Sequence, residues 1–291
     1  MKPSSVNTWV VNLVKHGLFP ASFYFLAFHL LTYPLIRDFS TRFFTDNGDG
    51  FMNVWNLWWV NTAVSQPSIH PSIWHTGMLH WPFGVTLLGQ TLNPFNGLVA
   101  APLLRVVSLA QAHNIIVLFS FVMSGVTTYW LAYYLTKSFW GSLLAGYVFT
   151  FSSYHFAHYH GHLNLISMEW IPLFVLCWYV LITRPSLTMG IASALTLWLV
   201  LLCDYYYLLY CVLAGIWIAV WRMFTQKDIW LLLKREYLSA FSSFVLISLL
   251  LTGPVIFPLI YLMRTDPLLD AHNPTGFALD LFALFVPGET W

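Results

Sequence analysis

Seven long runs of apolar residues constrain this chain more than anything else in it. They span about 18–36, 114–135, 139–154, 168–183, 187–203, 205–221 and 240–262. An apolar run of about 20 residues crosses the hydrocarbon core as a helix. Backbone in lipid must satisfy its own hydrogen bonds, and a helix does so within one segment. Outer-membrane strands would be shorter and would alternate polar with apolar residues. The ionisable residues in these runs are His29, well inside the first, and Glu169, at the edge of the fourth. The predicted fold class is all-α: a polytopic transmembrane helical bundle of about seven spans, with interfacial helices in its first outer loop. Composition agrees, because only 8% of residues are charged, against roughly 25% in soluble domains. The net charge of +1 argues against nucleic acid as a partner, since phosphate binding needs concentrated basic charge. Membrane lipid is the expected partner.

The basic residues predict orientation. With a cytoplasmic N-terminus and seven crossings, eight of the twelve lie inside: Lys2, Lys15, Lys137, Arg184, Arg222, Lys227, Lys234 and Arg235. Asp228 and Glu236 join them, and the other acids fall outside. This pattern predicts a membrane protein whose N-terminus is cytoplasmic. Lys2 and Lys15 precede a run too long for a signal-peptide core and without a small-residue cleavage site, so that run is expected to stay as an anchor. Cys177, Cys203 and Cys211 show neither a disulfide framework nor zinc spacing. The segment 94–112 is apolar but holds Arg105 and Pro102. Counting it as a span would move most basic residues outside, so it reads as an interfacial or re-entrant helix. An eight-span arrangement is the alternative.

The chain thus reads as one transmembrane module over 1–291, with a first outer loop over 37–113, a short one over 154–167, and the start of another over 263–291. Arg222–Ser239 reads as an amphipathic surface helix on the inner side. The chain stops at Trp291, inside that last loop, as expected of a sequence that continues into further helices.

The most informative stretch is Thr45-Asp46-Asn47-Gly48-Asp49-Gly50, followed by the Trp-rich segment Asn53–Trp59. The glycines permit a sharp turn, after which Asp49 is placed to cap a helix lying at the membrane surface. One reading makes Asp46 a turn residue and Asp49 a cap. The other makes them a base or metal ligands, with a partly desolvated carboxylate of raised proton affinity. His155, His158 and His162 are spaced to share one helical face. They suit divalent metal binding, substrate hydrogen bonding or interfacial packing. Asn164 and Glu169 are close enough in sequence to join them. Arg37, Arg42, Arg105 and Arg264 are candidates for a lipid phosphate or for headgroup anchoring. Asp204 reads as a helix cap, and His29 as a buried hydrogen-bonding residue. Asp280 is the favoured residue of the last loop, beside Asp266, Asp270, His272 and Glu289.

The segments Asp49–Trp59, Trp81-Pro82-Phe83-Gly84-Val85 and Leu92-Asn93-Pro94, then Phe149–Tyr154, His158, Gly161-His162-Leu163-Asn164 and Trp170-Ile171-Pro172-Leu173, resemble bacterial polytopic type C (GT-C) glycosyltransferase-like membrane proteins. The likeness covers about Thr45 to Leu173 and is weaker afterwards. It implies an enzyme that takes a sugar from a polyprenyl-phosphate carrier and passes it to an acceptor on the non-cytoplasmic face. Protein O-mannosyltransferases, aminoarabinose transferases and oligosaccharyltransferases are related. The resemblance implies an essential carboxylate in the first outer loop, acting as base or holding a divalent metal where one is used. Asp49 matches that position best and Asp46 second. The substrate-contacting residues it implies are His158, His162, Asn164, Glu169, Asp280 and the four arginines. Two other classes stay open: a transporter or flippase of a lipid-linked sugar, and a non-catalytic membrane protein. Internal repeats and mid-membrane charges, usual in transporters, are not evident.

Overall fold

The structure is a computed structural model that describes residues 11–226 and 234–265. The elements are helical apart from one two-stranded hairpin. Among the described residues, four helical stretches are long and apolar enough to cross a membrane: Leu109–Thr136, Leu163–Thr183 (α7, Leu163–Ile166, with α8, Trp170–Thr183), Tyr205–Gln226 and Arg235–Thr265. The chain is therefore an integral membrane protein.

In order, the helices are α1 (Phe19–Leu31), α2 (Asp49–Ser65), α3 (Pro94–Leu103), α4 (Leu109–Thr136), α5 (Phe139–Thr150), α6 (Ser153–His158), α7 (Leu163–Ile166), α8 (Trp170–Thr183), α9 (Leu187–Cys203), α10 (Tyr205–Gln226) and α11 (Arg235–Thr265). Strands β1 (His75–Thr76) and β2 (Val85–Thr86) form an antiparallel hairpin between α2 and α3. The predicted runs 18–36 and 139–154 are shorter as helices. In the first, the Thr32 hydroxyl binds the Phe28 carbonyl at 2.7 Å, just beyond the last turn, and Pro34 follows. In the second, the Ser152 hydroxyl accepts from the His155 amide at 3.4 Å and starts α6 instead. The doubtful segment 94–112 holds the ten-residue α3, which rises only about 15 Å. Of the last loop, 263–265 are the end of α11, and 266–291, with Asp266, Asp270, His272, Asp280 and Glu289, lie outside the described residues. So does 227–233, the centre of the predicted surface helix.

Small residues let the helices approach. Tyr24 of α1 is fully buried and donates to the Leu143 carbonyl at 3.0 Å. A Cβ on Gly125 of α4 would lie 2.5 Å from the Tyr24 ring, and one on Gly146 of α5 would strike its hydroxyl. Close packing through small residues is the usual means of helix association in lipid. Tyr207, Cys211, Gly215 and Ala219 repeat every fourth residue and form the buried face of α10. The Trp178 indole of α8 donates to the Gly215 carbonyl at 2.8 Å. The rest of α10 faces outward, with Leu213, Ile216, Trp217 and Phe224 exposed.

Helix α2 buries one face and exposes the other, with Phe51, Met52, Trp58 and Val64 outward. Trp59, Val60 and Leu57 are buried, and the Trp59 indole donates to the Ile73 carbonyl at 2.9 Å. Gly97 of α3 lies so close that an added Cβ would stand 2.5 Å from Val60. By contact the chain divides into a unit over 1–254 and another beginning at Val255. Of the second, only the end of α11 is described.

Candidate functional site

The start of α2 and the turn between α6 and α7 are stitched together. The Thr45 hydroxyl donates to the His160 carbonyl at 2.6 Å, and the Asp46 amide donates to the same oxygen. The Asn53 amide group, one turn into α2, donates to the Asp49 carbonyl at 3.0 Å and across to the Gly161 carbonyl at 2.9 Å. Two glycines make room. A Cβ on Gly161 would sit 2.8 Å from Asp46 Oδ2, and one on Gly50 would collide with Thr45. From beneath, Asn114 of α4 holds the approach to this turn. Its Oδ1 accepts from the Phe44 amide at 2.8 Å, and its Nδ2 donates to the carbonyls of Phe39 and Arg42.

The two candidate carboxylates take different roles. Gly48, not Asp49, occupies the N-cap position of α2. Asp46 Oδ1 accepts from the amides of Gly48 and Gly50, each at 3.0 Å. Asp46 is thus committed to otherwise unpaired amides at the helix start. Asp49 stands in the first turn with its side chain 65% exposed, and Oδ2 lies 3.4 Å from His162 Nε2. The protein itself therefore does not bury this carboxylate.

The three histidines do not share a helix face, because α6 ends at His158 and α7 begins only at Leu163. His158 and His162 still meet, Nδ1 to Nδ1, at 3.4 Å. Burial and the neighbouring His162 lower the proton affinity of His158. His155 points away from them and is fully buried. Its Nδ1 faces the Thr150 carbonyl at 2.7 Å and its Nε2 the Ile166 carbonyl at 2.8 Å. Its ring stacks on Phe121 with centroids 3.8 Å apart. Burial pulls its proton affinity down, to a pKa of about 4, against the two carbonyls that favour the charged ring.

Asn164 and Glu169 belong to a buried polar layer below the histidines. Asn164 donates to Asp204 Oδ2 at 2.7 Å, while Asp204 Oδ1 accepts from the amides of Tyr206 and Tyr207 and caps α10. Glu169 is fully buried and accepts from the Ser120 hydroxyl at 2.7 Å. Beside it, Ser167 Oγ accepts from Asn96 at 2.7 Å and from Asn93 at 3.2 Å. Sequence reasoning missed Asn53, Asn93, Asn96, Asn114 and Ser120. A usable signal was there, since uncharged polar side chains within apolar helical runs must find partners.

The four candidate arginines are Arg37, Arg42, Arg105 and Arg264. All four are exposed. Arg42 pairs with Asp38 at 3.5 Å, and the Arg37 guanidinium lies 4.9 Å above the Tyr33 ring. His29, predicted buried, is only half-buried and binds the Phe25 carbonyl of its own helix at 2.8 Å. No three His, Cys, Asp or Glu side chains gather to hold a metal among the described residues. Among the surface clefts, one lined by Arg184, Ser186, Met189, Glu236 and Tyr237 lies at the other end of α8 from Glu169.

The site therefore offers Asp49, an accessible carboxylate backed by two imidazoles, beside an exposed Asp46 whose Oδ1 holds two backbone amides, on a turn held by backbone and amide hydrogen bonds. Such a set can accept and move a proton. No family model, curated protein or solved structure matches the chain.

Proposed function

We propose that this protein is a membrane glycosyltransferase that moves a sugar from a polyprenyl-phosphate carrier to an acceptor hydroxyl on the non-cytoplasmic face. The difference between the two aspartates carries the reading: Asp46 Oδ1 holds two amides at the helix start, whereas Asp49 is exposed with Oδ2 beside His162. The resemblance of 45–173 to GT-C glycosyltransferase-like proteins supports it, since those place an essential carboxylate in the first outer loop. The topology proposed has seven crossings, counting α1, α5 and α9 with the four long helices, and an N-terminus on the cytoplasmic side of a bacterial inner membrane.

In this reading Asp49 removes the proton from the acceptor oxygen as that oxygen bonds to the anomeric carbon. The bond from that carbon to the carrier phosphate breaks, and the phosphate leaves with the electron pair. The carboxylate also stabilises the positive charge that develops on the sugar. His162, against Asp49 Oδ2, holds the carboxylate in place and can pass a proton on toward His158.

The test uses purified protein in lipid with a panel of polyprenyl-phosphate sugars and a sugar acceptor. Asp49→Asn is expected to lower sugar transfer by about 10²–10⁴-fold, the range for a general base. His160→Ala, on an exposed side chain, is expected to transfer normally. Translocation of the carrier without sugar release would establish the transporter instead.

A further inference from the structure

The hairpin between α2 and α3 lies within a long stretch that carries no acidic residue, lysine or arginine. From Gly50 to Leu104 there is no Asp, Glu, Lys or Arg at all. A water-exposed segment of this length would carry on the order of ten or more charges at ordinary usage. The hairpin's base is fixed. Leu87 N donates to the Trp74 carbonyl at 2.8 Å, and Leu87 and Leu92 are buried with Trp59 and Val60. The Tyr205 hydroxyl donates to the Leu88 carbonyl at 3.0 Å. Tyr205 is the first residue of α10, one of the four helices able to cross a membrane. The base of the hairpin therefore sits at the level where a membrane helix begins.

Its tip is another matter. Beyond the paired residues Thr76 and Val85, the chain reads Gly77-Met78-Leu79-His80-Trp81-Pro82-Phe83-Gly84. Trp81 is 84% exposed and Phe83 89%, and Met78 and Leu79 are exposed beside them. Left-handed backbone at His80 and Gly84, with φ of 53° and 72°, closes the turn. The amides of Phe83 and Gly84 both return to the His80 carbonyl. This is a shaped apolar tip on a rigid mount, not a frayed loop. Large apolar groups in water cost free energy, and Trp favours the membrane–water interface.

We infer that the hairpin tip Met78–Phe83 is a membrane anchor that inserts Trp81 and Phe83 into the interfacial region of the lipid bilayer. Three features point to lipid as the occupant: the uncharged stretch, the tip's apolar side chains, and a base tied to the end of a membrane helix.

The experiment places an environment-sensitive nitrobenzoxadiazole label on Phe83→Cys and, separately, on Leu79→Cys, which keeps both Trp81 and Phe83. Wild-type protein measures background from the half-buried and buried native cysteines, and Asn47→Cys serves as an exposed loop control. Full-length protein sits in phosphatidylcholine nanodiscs with or without lipids carrying a doxyl quencher near the headgroup. The label at 83 and at 79 is expected to emit at shorter wavelength than at 47. Doxyl lipid should quench it at least about twofold more than at 47, and aqueous iodide less. Preferential quenching by iodide would overturn the anchor. Protection from both quenchers would overturn it too, because protein and not lipid would then cover the tip. None of these readouts depends on sugar transfer, so failure here leaves the proposed activity standing, and failure there leaves the anchor standing.

Discussion

At the residue scale, position three residues apart separates two aspartates that look alike in sequence. Asp46 accepts two backbone amides, whereas the Asp49 carboxylate is left exposed beside His162. Removing a helix-start acceptor costs about 0.5–2 kcal/mol. Asp46→Ala is therefore expected to lower unfolding stability by about 1 kcal/mol and to speed amide exchange at Gly48 and Gly50. Asp49→Asn should leave both unchanged, as surface substitutions stay within about 0.5 kcal/mol. Equal losses from the two would contradict the assignment. His155 makes a second prediction. Its folded pKa of about 4 lies below the unfolded value of about 6.5. Between these values the unfolded chain holds more protons, so stability rises with pH across that window. Acidification from about 6.5 toward 4 should weaken the fold, and His155→Gln should flatten the profile there; an unchanged slope would place the acid sensitivity elsewhere.

At the element scale, the site depends on how closely α2 and α3 approach. Gly97 faces Val60 with no room for a Cβ, and overpacking of that kind costs about 1–3 kcal/mol. Gly97→Ala should destabilise by that amount, and Val60→Ala in the same chain should recover most of it. Additive losses in the double variant would show that the two do not compete for one space. The turn 159–162 shows why helix periodicity misled at the histidines. Three-and-four spacing places His155, His158 and His162 on one face only if the helix runs through Gly161. It stops earlier, and Gly161 instead receives the Asn53 amide group at its carbonyl. His155 then turns inward to two carbonyls while His158 and His162 meet by way of the turn.

At the scale of the whole molecule, α10 sorts its residues by size as much as by polarity. Cys211, Gly215 and Ala219 face α8 and its neighbours, and Trp217 and Phe224 are each 73% exposed. For an integral membrane protein, exposed apolar surface of this extent is lipid-facing. Spin labels at Leu213→Cys and Trp217→Cys in nanodiscs are expected to relax with oxygen and not with a water-soluble nickel complex. Protection from both agents at these positions would show that another polypeptide covers the helix.

The apolar runs determined, without any structure, that the chain crosses lipid as helices, because unpaired backbone polar groups are too costly there. They also located Asp46, Asp49, His158 and His162 in the loops at the run ends. Spacing alone left the roles of these four open. Asp46 bonds amides two and four residues on, but the placing of its turn against the histidine turn depends on contacts between residues more than a hundred positions apart. Thr45 reaches His160 and Asn53 reaches Gly161 across that separation. Local sequence carries no signal for such pairings. They arise when close-packed helices bring two chain turns to the same place and the amides there must find acceptors.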